Sequence, residues 1–153
     1  MTFTNNYSYR PNEERISKLE SIWGIQLPKE YRKFLMKENG GVPAKRNFNC
    51  GKQTRMIERF LCIKEKNTNE DYAWYDINVV ITQVEERLAS DPDQETDELI
   101  PIAELFAGDL LCLDYRETET PSVCVWFHEE SEEWNPVTEK VADSFSEFTS
   151  MLF

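Results

Sequence analysis

Two short apolar runs in the last third of the chain constrain its fold more than any other feature. Leu110–Tyr115 (LLCLDY) and Ser122–Phe127 (SVCVWF) are apolar at consecutive rather than alternate positions. A strand of that kind buries both faces, so it belongs inside a sheet that is covered on both sides. The polar stretch Arg116–Thr120 separates the two runs. A hairpin turning about Thr118 sets Cys112 opposite Cys124, Leu110 opposite Trp126 and Leu111 opposite Val125. Directly opposite residues hold their Cβ atoms roughly 4.5–5.5 Å apart. That is slightly long for the ~3.8 Å of a disulfide, so neighbouring buried thiols are expected.

The remaining elements follow from spacing and caps. Asn12 caps a helix with Glu13 and Glu14 in its first turn, and Gly24 stops it. Ile16, Leu19, Ile22 and Trp23 form its apolar stripe. Pro28 opens a second helix that buries Tyr31, Phe34 and Leu35, and Asn39-Gly40-Gly41 ends it. Phe48–Cys50 and Phe60–Ile63 read as short strands, with a basic loop from Lys52 to Arg59 between them. Ile77, Val80, Ile81, Val84 and Leu88 step as an amphipathic helix started near Asn78, with Glu85 and Glu86 facing outward. Ser90-Asp91-Pro92 stops it. Leu99–Ile102 is a short strand whose Pro101 marks an edge or a bulge. Ser144-x-x-Glu147 is a capping box, and Phe145, Phe148, Met151 and Leu152 give the last helix its buried side. The expected architecture is a single α+β domain over residues 1–153. It has two N-terminal helices, a mostly antiparallel central sheet with an inserted helix, and a C-terminal helix packed on the sheet.

Charge is distributed unevenly. Residues 1–66 hold 14 Lys or Arg against 7 Asp or Glu, whereas residues 67–153 hold 3 against 22. The chain as a whole carries −12. An acidic surface repels nucleic acid and steers basic proteins toward it. The competing reading is that the two halves neutralise each other across the fold. Lys45, Arg46, Lys52, Arg55 and Arg59 are basic enough to suggest nucleic-acid contact, but the total charge and the lack of interleaved aromatics argue against it. No apolar run approaches the ~20 residues of a membrane span. The N-terminus has neither the basic nor the apolar region of a secretion signal, so the expected compartment is the cytoplasm.

The side chains suited to chemistry do not assemble into a catalytic motif. The four cysteines, at 50, 62, 112 and 124, have no metal-ligand spacing, and in a reducing compartment they pack as small hydrophobes. The single histidine, His128, lies four residues from Cys124; on a strand that is ~13 Å, too far for a thiolate–imidazole pair. Asp91, Asp93, Glu95 and Asp97 alternate, but the tract lacks the glycine and terminal glutamate of a calcium loop. Asp109, after Gly108, reads as a turn residue whose carboxylate bonds backbone N–H groups before the strand begins. No catalytic residue, metal or cofactor is expected.

Five short motifs in order carry a family resemblance. They are Leu27-Pro28-Lys29-Glu30-Tyr31 running to Leu35, Glu38-Asn39-Gly40-Gly41, Gly108-Asp109-Leu110-Leu111, Val123-Cys124-Val125-Trp126 and Val141-Ala142-Asp143-Ser144-Phe145. Over residues 12 to 152 the chain resembles the SUKH superfamily, in the branch of the yeast cell-wall-assembly regulators. The resemblance implies a recognition domain. Bacterial members serve mostly as immunity proteins that bind and block a polymorphic toxin, often a basic nuclease; the yeast relatives imply an intracellular scaffold with no toxin. Either way the expected partner face lies on the acidic segments. One set is Glu85, Glu86, Asp91, Asp93, Glu95, Asp97 and Glu98. The other is Glu129, Glu130, Glu132 and Glu133, with Trp134 as an aromatic anchor.

Overall fold

The structure, a computed structural model, describes residues 2–65, 75–88, 98–129 and 137–153, with backbone alone at 84–88. Its centre is a six-stranded antiparallel sheet in simple meander order. The strands are β3 (Asn47–Cys50), β4 (Gln53–Phe60), β5 (Leu99–Leu105), β6 (Leu110–Asp114), β7 (Ser122–Trp126) and β8 (Thr138–Ala142). A small ribbon of β1 (Phe3–Thr4) and β2 (Val42–Pro43) stands apart from it. The helices are α1 (Glu13–Trp23), α2 (Lys29–Lys37), α3 (Ile77–Leu88) and α4 (Phe145–Ser150). The fold is α+β, with the inserted helix between β4 and β5 and the last helix packed on β7 and β8. No described helix is long and apolar enough to cross a membrane.

The β6–β7 hairpin takes the register expected from its composition: Leu110 pairs with Trp126, Leu111 with Val125 and Cys112 with Cys124. All four cysteines are buried and unbonded. Leu111, Cys112, Leu113, Val123, Cys124 and Val125 are essentially inaccessible, so neighbours cover both faces of the hairpin. Burying each such aliphatic side chain contributes ~1.5–3 kcal/mol, which makes this pair the centre of the core.

Aromatic rings join α2 and α4 to one face of the sheet. Phe34 lies 5.2 Å from Phe60, Tyr31 5.1 Å from Phe145, and Phe48 5.1 Å from Phe148. Offset and edge-on ring pairs at these separations add ~0.5–1.5 kcal/mol each beyond area burial. Phe60 and Arg59 are neighbours on a strand and so point to opposite faces. The other face, with Glu104, Leu110 and Trp126, closes against Val80 and Gln83 of α3 around a cavity of about 220 Å³.

The caps account for the helix ends. The Asn12 side chain accepts from the Arg15 N–H at 2.9 Å, and Gly24 adopts the left-handed conformation at φ 71°. Ser144 accepts from the Glu147 N–H, while the Glu147 carboxylate accepts from the Asp143 N–H. Past α2, Asn39 (φ 47°) and Gly40 (φ 89°) both take the left-handed turn. Asn39 is fully buried: its carbonyl oxygen accepts from the Ile63 N–H at 2.8 Å, and its amide donates to the carbonyls of Tyr9 and Ile63. A Cβ at Gly40 would sit 2.9 Å from the carbonyls of Phe60 and Leu61, so glycine is required there on two counts.

Several expectations are corrected. The stretch expected as a basic loop from Lys52 to Arg59 is instead the tight Gly51-Lys52 turn followed by strand β4, Gln53–Phe60. Arg55 on one side and Glu58 and Arg59 on the other bracket the adjacent Met56 and Ile57, so no apolar alternation shows through the charge. Phe60 ends that strand, and of the next residues only Cys62 makes an isolated bridge, to Asp76. Of the two placements expected for Pro101 the bulge holds: it sits at a register shift in β5, which is a central strand. Helix α2 begins at Lys29, with Pro28 as its cap. Helix α3 begins at Ile77, within one residue of the expected start, because the Asp76 carboxylate accepts from the N–H groups of Asn78 and Val79. Ile22, expected in the α1 stripe, is 73 % exposed. The proposed stop at Ser90-Asp91-Pro92 lies outside the described residues.

Candidate partner-binding surface

The two ends of the β6–β7 hairpin carry the charged groups of interest. At the end where β6 begins, the chain turns through Phe106, Ala107 (φ 76°) and Gly108 (φ 95°), which delivers Asp109 to the mouth of the sheet. One Asp109 oxygen accepts from the His128 N–H at 3.0 Å and meets His128 Nδ1 at 2.5 Å. The other accepts from Arg55 Nη2 at 2.6 Å. The Arg55 guanidinium also lies 5.7 Å from the centre of the Phe127 ring. The Asp109 and Arg55 side chains are each 13 % exposed, so this is a nearly buried pair. Burial alone would raise the Asp109 pKa; the hydrogen bonds from Arg55 and His128 outweigh it and hold the carboxyl below its ordinary value. Asp109 is thus the acceptor of backbone N–H that its turn position suggested. Its partners, however, come from β4 and from the residues after β7 rather than from its own turn.

The thiols are chemically quiet. Burial, followed by the charge and hydrogen bond of Glu139, pushes Cys50 up to about 11. Burial and Asp76 push Cys62 up to about 12, and burial and Asp114 push Cys124 up to about 12. Cys112 is raised by burial and by Cys124. Each is a protonated thiol at neutral pH, whereas nucleophilic chemistry needs the thiolate.

The opposite end of the hairpin opens onto a groove. It runs between the C-terminal end of α1 and the β6–β7 turn, with a volume of about 1030 Å³. Trp23, Ile25 and Tyr115 line its inner wall; Glu98, Glu117 and Glu119 line its rim. Two hydrogen bonds build it. The Tyr115 hydroxyl donates to the Gln26 carbonyl at 2.7 Å, and the Glu20 carboxylate accepts from the Leu27 N–H at 2.7 Å. Together they pin the segment after α1 to the last turn of that helix and to the end of β6.

Charge pairing distinguishes the two ends. Between described residues nine ion pairs form, and one of them, Arg55–Asp109, joins residues 1–66 to the acidic remainder. Across the described residues, then, the two halves do not neutralise each other pairwise. The arginines are instead committed internally. Arg46 donates to the carbonyls of Ile57 and Glu58, and Arg10 to that of Lys37. Arg59 donates to the Asn5 carbonyl and stacks on Tyr75. Arg32 pairs with Glu20, which removes that groove carboxylate from play. Arg116, the cation of the β6–β7 turn, is clamped by Asp114 at 2.9 Å and donates to the Thr138 hydroxyl. Glu98, Glu117 and Glu119 take part in none of the nine pairs.

The predicted partner residues are divided by this geometry. Glu98 precedes β5 and lines the groove. Glu129 follows β7 beside His128, with its carboxylate 3.8 Å from His128 Nε2. The two therefore flank opposite ends of the same sheet, separated by at least the ~13 Å rise of the hairpin strands. Glu85 and Glu86 belong to α3, whose backbone alone is described there. Asp91, Asp93, Glu95, Asp97, Glu130, Glu132, Glu133 and Trp134 lie outside the described residues. Glu117 and Glu119 were missed because two acids in a polar turn look like an ordinary solvated loop; only the pairing of that turn with the end of α1 gives them a groove.

A six-stranded antiparallel meander with an inserted helix and a closing helix packed on it defines an α+β domain. The family profile described as SMI1-KNR4 cell-wall, within SUKH, matches residues 13–149. The chain belongs to that family, whose members are generally interaction or immunity domains rather than enzymes. No curated protein matches the chain.

Proposed function

We propose that this protein is a bacterial cytoplasmic immunity protein that acts by stoichiometric binding, occluding a cognate polymorphic toxin whose basic surface meets its acidic one. The observation that carries this reading is the set of rim carboxylates, Glu98, Glu117 and Glu119, that form no ion pair with a described residue, on a domain of an interaction family. Unpaired rim charges accelerate encounter with a basic partner and suppress wrong ones, and they do so without any catalytic group. A basic nuclease domain is the partner class that fits best. The partner residues proposed are the acidic segments around Glu85 to Glu98 and Glu129 to Trp134.

The test is co-expression with the toxin domain encoded beside its gene. Rescue of growth, together with a 1:1 complex of the purified proteins by light scattering, is expected. Growth arrest without a complex overturns the immunity reading and leaves a scaffold domain of the yeast type. Turnover of a defined substrate lost on changing Asp109 or His128 would instead make the protein an enzyme.

A further inference from the structure

We infer that the groove between the end of α1 and the β6–β7 turn is the docking site for a peptide segment of a partner protein, in which basic side chains flank an apolar one. This rests on the binding role proposed above and narrows it to one face. Three features point to that occupant. The first is size: about 1030 Å³ exceeds a single side chain and matches a short stretch of chain. The second is the distribution of polarity. Trp23, Ile25 and Tyr115 supply apolar wall inside a rim of carboxylates. An apolar side chain of the partner is seated there.

The third is charge complementarity. Glu98, Glu117 and Glu119 are the rim, and the nearby cations Arg32 and Arg116 are already held by Glu20 and Asp114. A guanidinium or ammonium arriving at this rim meets carboxylates that must not first break an ion pair of their own with a described residue. Because the walls are pinned by Tyr115 and Glu20, the partner meets a preformed groove, and little ordering of this chain opposes binding. Among the described residues the Glu129 end lacks this combination: its carboxylate stands beside a histidine engaged by Asp109.

The experiment is a ¹⁵N-labelled NMR titration of the full chain at low salt with a synthetic dodecapeptide of alternating lysine and leucine. The same peptide with glutamate for lysine is the control. The lysine peptide is expected to shift the amides of Gly24, Ile25, Gln26 and Glu117 to Thr120 first. A combined E98Q, E117Q and E119Q variant, checked for an unchanged melt, is expected to weaken that response by about tenfold. Shifts spread evenly over all acidic segments, or an equal response to the glutamate peptide, would overturn the groove. A toxin complex that forms at an unchanged rate with the triple variant also overturns the groove while leaving the immunity role standing. A groove that takes the lysine peptide in a protein that binds no toxin does the reverse.

Discussion

The two ends of the β6–β7 hairpin use the same kind of side chain for opposite purposes. At one end Asp109 is shielded, accepts three hydrogen bonds and draws β4, β6 and the residues after β7 into one knot. At the other end Glu117 and Glu119 stand exposed on the turn beside a groove, with the neighbouring arginine already clamped. A carboxylate inside a hydrogen-bonded knot contributes to stability because removing it strands its partners. A carboxylate on an open rim contributes almost nothing to stability and a great deal to the field seen by an approaching protein. Net charge alone does not distinguish these uses; position along one pair of strands does.

The largest expected effect lies at the knot. Asp109→Ala leaves the Arg55 guanidinium nearly buried and unpaired, so stability should fall by ~3 kcal/mol or more in denaturant melts. A loss under 1 kcal/mol would mean that the knot is ornamental and the contrast between the ends false. The same residue predicts a pH dependence. Its folded pKa is lowered, so its contribution is whole above about pH 4 and is lost as pH falls through the lower folded value. Melts of the wild type and Asp109→Asn should therefore differ at neutral pH and converge in acid. A constant difference down to the lowest accessible pH would contradict this.

A middle-sized effect is expected where the two ends meet. Cys112→Ala with Cys124→Ala removes two buried sulfurs from the centre of the hairpin and should cost about 1–3 kcal/mol while leaving partner binding intact. The native thiols should resist a disulfide reagent until the protein unfolds, since all four are held protonated; fast labelling of the folded chain would refute that. The smallest stability effect belongs to the rim. The combined E98Q, E117Q and E119Q variant should melt within ~0.5 kcal/mol of the wild type.

What was legible in the sequence divides along physical lines. The α1 caps, the Ser144 box and the Cys112–Cys124 register depend on residues close in sequence or on a dense apolar pattern, and each is in place. Strand β8 was not foreseen, because Thr138–Ala142 is an edge strand whose polar residues face outward on both sides and leave no clear period. Strand β4 was obscured by its cations, whose polar heads turn to backbone carbonyls and to Asp109. The Asp109 knot joins residues 54 and 19 positions away, so no local pattern announced it. The groove was half visible: Glu98 was chosen for its acidic neighbourhood, whereas Glu117 and Glu119 needed the fold to bring their turn against α1.

The most direct test of the central claim is the rate of association with the purified toxin domain, measured by stopped flow across a range of ionic strength. Wild type, E98K/E117K/E119K and E129K are compared. Groove reversal is expected to slow association by about tenfold or more and to flatten its salt dependence, while E129K, a single change at the other end of the sheet, slows it by a clearly smaller factor. Equal rates for the wild type and the groove variant would contradict it and reduce the open carboxylates to a solubility feature.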